Sequence, residues 1–189
     1  MTVINKKELR RYLRSLHQGQ AERARQSALL CRNILDSGMY RSARVIGGYM
    51  PMPQEADVTP VLLDALQQGK TLVLPLCGDA PHMTLRRVSS LEELTTGAYG
   101  ILEPRHDAPV IPEEDMELLL VPLEGIDKDG FRLGKGGGYY DCLLSKCNVP
   151  TLGCALSWQW IESVPREAWD VPLGACADCC GVHDFKNDQ

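Results

Sequence analysis

Between Asp129 and Asp141 the chain reads Asp-Gly-Phe-Arg-Leu-Gly-Lys-Gly-Gly-Gly-Tyr-Tyr-Asp. Gly134, Gly136, Gly137 and Gly138 offer little steric hindrance, so this backbone can turn its N–H groups towards the oxygens of a phosphate. Arg132 and Lys135 add two cations. Asp141 supplies a carboxylate of the kind Mg²⁺ prefers, together with water and phosphate oxygens. A helix expected over residues 139–146 would turn the positive end of its dipole on the same place. The chemistry indicated is the binding of an anion, above all a phosphate. It is not a standard nucleotide motif. No Ser or Thr follows Lys135, so GxxxxGK[ST] fails, and Tyr139 stands where the last glycine of GxGxxG belongs.

Other residues carry weaker signals. Lys6 and Arg10 lie four apart and share one helix face, which on its own reads as a solvated basic face. Glu55, with Met50 and Met52 close by, reads on its own as an exposed loop acid. Asp170 reads as a loop cap before Val171-Pro172. Trp158, Trp160 and Trp169 are candidate walls for a ligand site, although buried aromatics are more often core. His17, His82, His106 and His183 show no catalytic spacing, and no Ser or Cys triad is legible. The chain has 8 cysteines. Cys176-Ala-Asp-Cys179-Cys180 is near His183, but no second CxxC or HxxxH completes a zinc site, so no structural metal is expected there. The other cysteines read as small apolar core residues or idle thiols.

These groups need elements to position them. Ile4, Leu9, Leu13 and Leu16 recur at close to helical spacing, with Asn5 as N-cap and Glu8 completing a loose capping box. A second helix is expected over residues 20–36, with Ala24, Ala28, Leu29, Cys31, Ile34 and Leu35 as its core stripe and Gly38 as its end. Strands are expected over 45–50, 71–76, 83–88, 118–123 and 151–156, with 118–123 central because it is the most apolar. A helix over 58–68 stops at Gly69, 90–94 makes a helical turn, and 125–138 is a functional loop. Residues 174–179 and 182–185 are short final strands or an edge hairpin. The alternation of strand and helix predicts a three-layer α/β sandwich, Rossmann-like, with a mostly parallel central sheet. In such sheets ligands bind beyond the carboxyl ends of the strands, and the loops 51–57, 124–138 and 157–169 qualify.

With 189 residues and 44% hydrophobic content, the chain suits one domain spanning residues 1–189. Its net charge of −5 argues against duplex nucleic acid as a partner. Its longest apolar run, 118–121 continuing past Pro122 to Leu123, is too short to span a bilayer. The N-terminal stretch lacks the apolar core of a signal peptide. A cytoplasmic, monomeric protein with no membrane or nucleic-acid partner is expected.

The string Arg132-Leu-Gly-Lys-Gly-Gly-Gly-Tyr-Tyr-Asp141 resembles the signature of the 5-formyltetrahydrofolate cyclo-ligase family, also called 5,10-methenyltetrahydrofolate synthetases. Val121-Pro122…Gly125-Ile126-Asp127 is similar to that family's approach to the loop. Lys6-x-x-Leu9-Arg10, Met50…Glu55-Ala-Asp57, Gly100-Ile101-x-Glu103-Pro104 and Leu152-Gly153…Gln159…Val164-Pro165…Trp169-Asp170 resemble further segments in the same order. The resemblance thus runs through nearly the whole chain. Two departures stand out. Leu123-Glu124 replaces the usual glycine after Val-Pro. The C-terminal V/L-D-x-h-h-T-E pattern, where h is apolar, has become Leu173-Gly174-Ala-Cys176-Ala-Asp178-Cys179.

The resemblance implies an ATP- and Mg²⁺-dependent conversion of 5-formyltetrahydrofolate, polyglutamylated or not, to 5,10-methenyltetrahydrofolate, with release of ADP and phosphate. It implies that Lys6, Arg10, Arg132, Leu133, Gly134, Lys135, Gly136, Gly137, Gly138, Tyr139 and Tyr140 bind ATP, and that Arg132 and Lys135 also act in catalysis. It implies that Met50, Glu55, Lys135, Gly136, Gly137, Gly138 and Tyr139 meet the folate, and that Asp141 and Asp170 hold Mg²⁺. Two other readings compete: a paralogue with the same ATP site acting on another formyl or amide compound, and a non-catalytic nucleotide- or folate-binding regulator.

Overall fold

The computed structural model describes residues 5–97 and 100–185. The chain opens with helix α1 (Lys6–Ser15), for which Asn5 and Glu8 form the expected capping box. Ile4, expected on its apolar face, lies outside the described residues. Helix α2 (Gln20–Asp36) follows, then a short helix α3 (Gly38–Ser42). Strand β1 (Val45–Gly47), helix α4 (Thr59–Gln67), and strands β2 (Thr71–Cys77) and β3 (Met83–Val88) come next. Beyond a 3₁₀ turn at Leu91–Glu93 lie β4 (Thr95–Thr96), β5 (Leu102–Glu103) and β6 (Leu118–Val121). The rest comprises β7 (Gly125–Ile126), β8 (Arg132–Leu133), α5 (Tyr139–Leu144), β9 (Thr151–Cys154), β10 (Ala175–Ala177) and β11 (Val182–Asp184).

Seven strands form one sheet in the order β11-β10-β9-β6-β1-β2-β3, with β6 in the middle. The inner pairs are parallel, while β3 and β11 run antiparallel at the two edges. The mostly parallel sheet is as expected, and β6 explains why. Leu118 and Leu120 feed one apolar cluster with residues of α2, α3 and α4, and Leu119 and Val121 feed a second with Leu143 and Leu144 of α5. A strand buried on both faces has no polar alternation, which is how the sequence reads. Each of these leucines contributes about 2 kcal/mol by leaving water.

Three details differ from expectation. The buried face of α2 is Gln26, Ser27, Leu30, Cys31 and Ile34, whereas Ala24, Ala28 and Leu29 face outwards. Its polar members are buried because each has partners. Gln26 donates to Ser157 Oγ and accepts from Ser157 N, and Ser27 Oγ accepts from Asp57 N. Gly38 opens α3 rather than simply closing α2, because Ser37 caps the new helix through Tyr40 N. Residues 125–138 are not loop throughout, since β7 and β8 form an antiparallel hairpin inside them.

Candidate active site

The hairpin β7–β8 carries the glycine loop, and Asp127 sets its shape. Asp127 is fully buried; its Oδ1 accepts from the N–H groups of Asp129 and Phe131, and its Oδ2 from Val164 N. Such an aspartate replaces the ladder bonds that a tight turn cannot make. Strand β8 then delivers Arg132, which is 8% exposed. Its Nη2 donates to Asp141 Oδ1 at 2.6 Å, and its guanidinium carbon lies 5.7 Å from the Tyr140 ring centroid. Its Nε, also buried, has no hydrogen-bond partner among the described residues. Burial pulls this guanidinium below its ordinary pKa and Asp141 opposes the shift, so the group remains a cation. A buried N–H donor without a partner costs free energy, which an incoming anion would recover.

Two glycines are required here. A Cβ on Gly134 would come within 2.6 Å of Arg132 Nη1. Gly136 has φ +101°, a backbone that side-chain-bearing residues rarely adopt, and the Arg10 guanidinium lies just beyond the place of a Cβ. The helix after the loop is α5, only 6 residues long. It is shorter than expected, which weakens the dipole it can turn on the loop.

Helix α1 docks on this loop instead of facing solvent. Lys6 Nζ donates to Asp170 Oδ2 at 2.7 Å and to Glu167 Oε2 at 2.8 Å. Burial lowers the Lys6 pKa, but its bonds to Asp170 and Glu167 outweigh that and leave it above the ordinary value. Arg10 Nε donates to Gly134 O at 2.7 Å, and Arg14 Nη2 to Glu124 Oε1 at 2.6 Å. Residues at four-residue spacing thus join three separate pieces of the site. Beneath them Leu9 and Leu13 pack with Leu133 and Val164.

Two cavities meet at this loop. The larger, of about 380 Å³, is mostly apolar; Met50, Glu55, Lys135, Gly137, Tyr139 and Tyr140 line it alone, among others. The smaller, of about 170 Å³, is lined by Lys6, Arg10, Leu133, Glu167, Trp169 and Asp170. Arg132, Gly134, Gly136, Gly138 and Asp141 line both and form the wall between them. All the residues that the resemblance implies for the site therefore stand on one cavity or the other. Glu55 is not an exposed acid. It is 5% exposed, its Oε2 accepts from Met52 N, and its Oε1 lies 3.4 Å from Lys135 Nζ. Lys135 Nζ lies also 3.7 Å from Glu124 Oε1, so it sits between two buried carboxylates on the side of the larger cavity.

The tryptophans do not wall the larger cavity. Trp158 is buried edge-on to His17, Trp160 packs against His183 and Phe185, and only Trp169 reaches a cavity, the smaller one. The aromatic walls are tyrosines, among them Tyr49, whose hydroxyl donates to Ala56 O. Sequence reasoning also missed Cys77, Ile101, Leu102 and Glu103, which line the larger cavity. Burial and then Glu103 push the Cys77 thiol up to about 12. The motif around Glu103 was the available signal, but it named no role. Residues 174–179 line neither cavity. Cys176 lies in the core, and Asp178 accepts from Trp160 Nε1. Among the described residues no group of three His, Cys, Asp or Glu side chains is placed to hold a metal ion. Asp141 and Asp170 could hold Mg²⁺ only with phosphate and water oxygens completing its shell, the usual arrangement for this ion.

Comparison with known proteins bears on the whole of this arrangement. The 5-formyltetrahydrofolate cyclo-ligase of Mus musculus is 32% identical over 181 residues, covering 88% of this chain and 87% of its own. That of Haemophilus influenzae is 32% identical over 175 residues, covering 88% and 90%. The solved structure of 5,10-methenyltetrahydrofolate synthetase from Aquifex aeolicus superposes with a TM-score of 0.87 at 32% identity, covering 97% of this chain and 94% of that one. The model of the 5-formyltetrahydrofolate cyclo-ligase family matches residues 3–177, a span that holds both cavities and their shared wall. The chain is therefore a member of the 5-formyltetrahydrofolate cyclo-ligase family, a family of enzymes.

Proposed function

We propose that this protein converts 5-formyltetrahydrofolate into 5,10-methenyltetrahydrofolate, consuming ATP in the presence of Mg²⁺ and releasing ADP and phosphate. The observation that carries this reading is the shared wall: a buried guanidinium whose Nε has no partner among the described residues stands between a polar cavity and an apolar one. A phosphoryl group passing from one substrate to the other must cross such a wall.

The reaction needs positioning and charge neutralisation more than a nucleophilic side chain. The formyl oxygen is a poor leaving group until it accepts the γ-phosphoryl group. N10 of the folate then attacks the formyl carbon and loses its proton, and phosphate departs. Lys6, Arg10 and the backbone from Gly134 to Gly138 are assigned to the phosphates of ATP in the smaller cavity. Asp141 and Asp170 are assigned to Mg²⁺, which would neutralise phosphate charge there. Lys6 and Arg132, which now occupy these two carboxylates, are assigned to phosphate oxygens once ATP is bound. Arg132 and Lys135 face the transferring group, Arg132 with a planar fork of donors and Lys135 as a point charge. Glu55 is assigned to the donor-rich pterin ring, against Met50 and Tyr139. The fit of these residues to an anion rests on the unpartnered Arg132 Nε and on the close glycine backbone.

We further infer a single-domain monomer. No helix among the described residues is long and apolar enough to cross a membrane. The test is direct: the protein is incubated with ATP, Mg²⁺ and 5-formyltetrahydrofolate, and the methenyl product is followed by its absorbance. Product formation that requires all three components is expected. ATP turnover driven instead by another formyl or amide compound would establish the paralogue, and binding without turnover would establish a regulator. Sedimentation of the same sample as a dimer would overturn the monomer.

A further inference from the structure

The groups assigned so far account for the phosphates of a nucleotide and leave its base unplaced. The smaller cavity, about 170 Å³, is below the usual 300–1,000 Å³ of pockets that hold a whole ligand, so it suits phosphates alone. The larger cavity is lined by Glu55, Met50 and Tyr139, groups suited to the other substrate. The rest of the nucleotide must leave the smaller cavity over its rim. There stands Trp169, a cavity-lining residue that is nevertheless 64% exposed.

It sits within a tightly bonded turn. Asp170 N donates to Glu167 O at 3.0 Å, and Glu167 N donates back to Asp170 Oδ2 at 2.8 Å. Lys6 Nζ then holds both carboxylates from α1, at 2.8 Å and 2.7 Å. The indole is therefore presented to solvent on a turn fastened to the same lysine that faces the phosphate cavity. A rigid aromatic face beside a cationic phosphate site is the arrangement by which proteins seat nucleobases, since every base has a π-face to stack.

Resting on the functional reading above, we propose that Trp169 is the platform on which the purine base of the nucleotide stacks. Stacking tolerates different bases, so this site discriminates a nucleoside triphosphate from bare polyphosphate more strongly than ATP from GTP.

The test compares Mg²⁺–ATP with Mg²⁺–tripolyphosphate, which has the phosphates and no base, by calorimetry on the full chain and on its Trp169→Ala and Trp169→Phe variants. The expected result is a loss of ATP affinity of about tenfold in Trp169→Ala. Tripolyphosphate affinity should stay within about twofold, and Trp169→Phe should keep most of the ATP affinity, because a phenyl ring still stacks. ATP should also quench the wild-type tryptophan fluorescence, and Trp169→Phe should lose that quenching. Because Trp169 is largely exposed, both variants should unfold at the wild-type temperature. Unchanged ATP affinity in Trp169→Ala would overturn the proposal. So would an equal loss for tripolyphosphate, which would make Trp169 only a brace for Asp170. A wild-type protein that binds neither ligand would contradict the functional reading itself and take this inference with it.

Discussion

The two cavities differ in almost every respect except their common wall. The smaller is built from charges drawn from distant parts of the chain: Lys6 and Arg10 from α1, Asp141 from α5, and Asp170 from the turn after residue 166. Its members already bond one another, so an incoming ligand exchanges partners rather than filling an apolar space. The larger is built from apolar side chains at the ends of β1, β2 and β6, with Glu55 buried among them. A ligand there would gain mainly by leaving water, and Glu55 is the group assigned to fix its orientation. The contrast teaches a division of labour. On the proposed reading, charge exchange would bind and neutralise one substrate, apolar burial would bind the other, and Arg132 would serve both.

If that division holds, damage to the wall should be the most costly, because it harms transfer rather than either binding step. Arg132→Ala is predicted to lower the single-turnover rate by about 100-fold or more, as expected for a well-placed donor in a site shielded from water. Affinity for each substrate should fall much less. An equal fall in affinity and rate would make Arg132 a binding residue and dissolve the comparison. Next in size is Asp141→Asn, which alters a carboxylate assigned to Mg²⁺ and Arg132's ion-pair partner together. The Mg²⁺ concentration giving half-maximal rate is predicted to rise by about tenfold, with 5-formyltetrahydrofolate affinity little altered. A variant with normal Mg²⁺ dependence would place the metal elsewhere.

The glycine loop was legible in the sequence because its geometry demands particular residues at fixed places. Gly134 makes room for the Arg132 guanidinium and Gly136 holds a backbone few other residues accept, so the requirement is written locally. The central strand was legible for a similar reason, since burial on both faces leaves an unbroken apolar run at Leu118–Val121. What was lost depends on contacts distant in sequence. Gln26 and Ser27 look like surface residues, and only Ser157 and the backbone at Asp57 make them core. Lys6 and Arg10 look like a solvated face, and only the loop and Asp170 turn them inwards. Tyr49 just beyond β1, Cys77 of β2 and Glu103 of β5 come together from separate parts of the chain and leave no periodic trace. The hairpin β7–β8 hid among glycines because its organiser, Asp127, reads as an ordinary turn residue until its burial is seen.

The division of the site into two cavities is tested most directly by a crossed binding measurement. Lys6 lines only the smaller cavity and Glu55 only the larger. Lys6→Ala and Glu55→Gln are each titrated by calorimetry with Mg²⁺–ATP and, separately, with 5-formyltetrahydrofolate. Loss of one charge-assisted contact in a partly buried site should weaken the cognate ligand by about tenfold. The account predicts that Lys6→Ala loses this much for ATP and little for the folate, while Glu55→Gln loses it for the folate and little for ATP. The reverse pattern, or equal losses of both ligands in both variants, would contradict it.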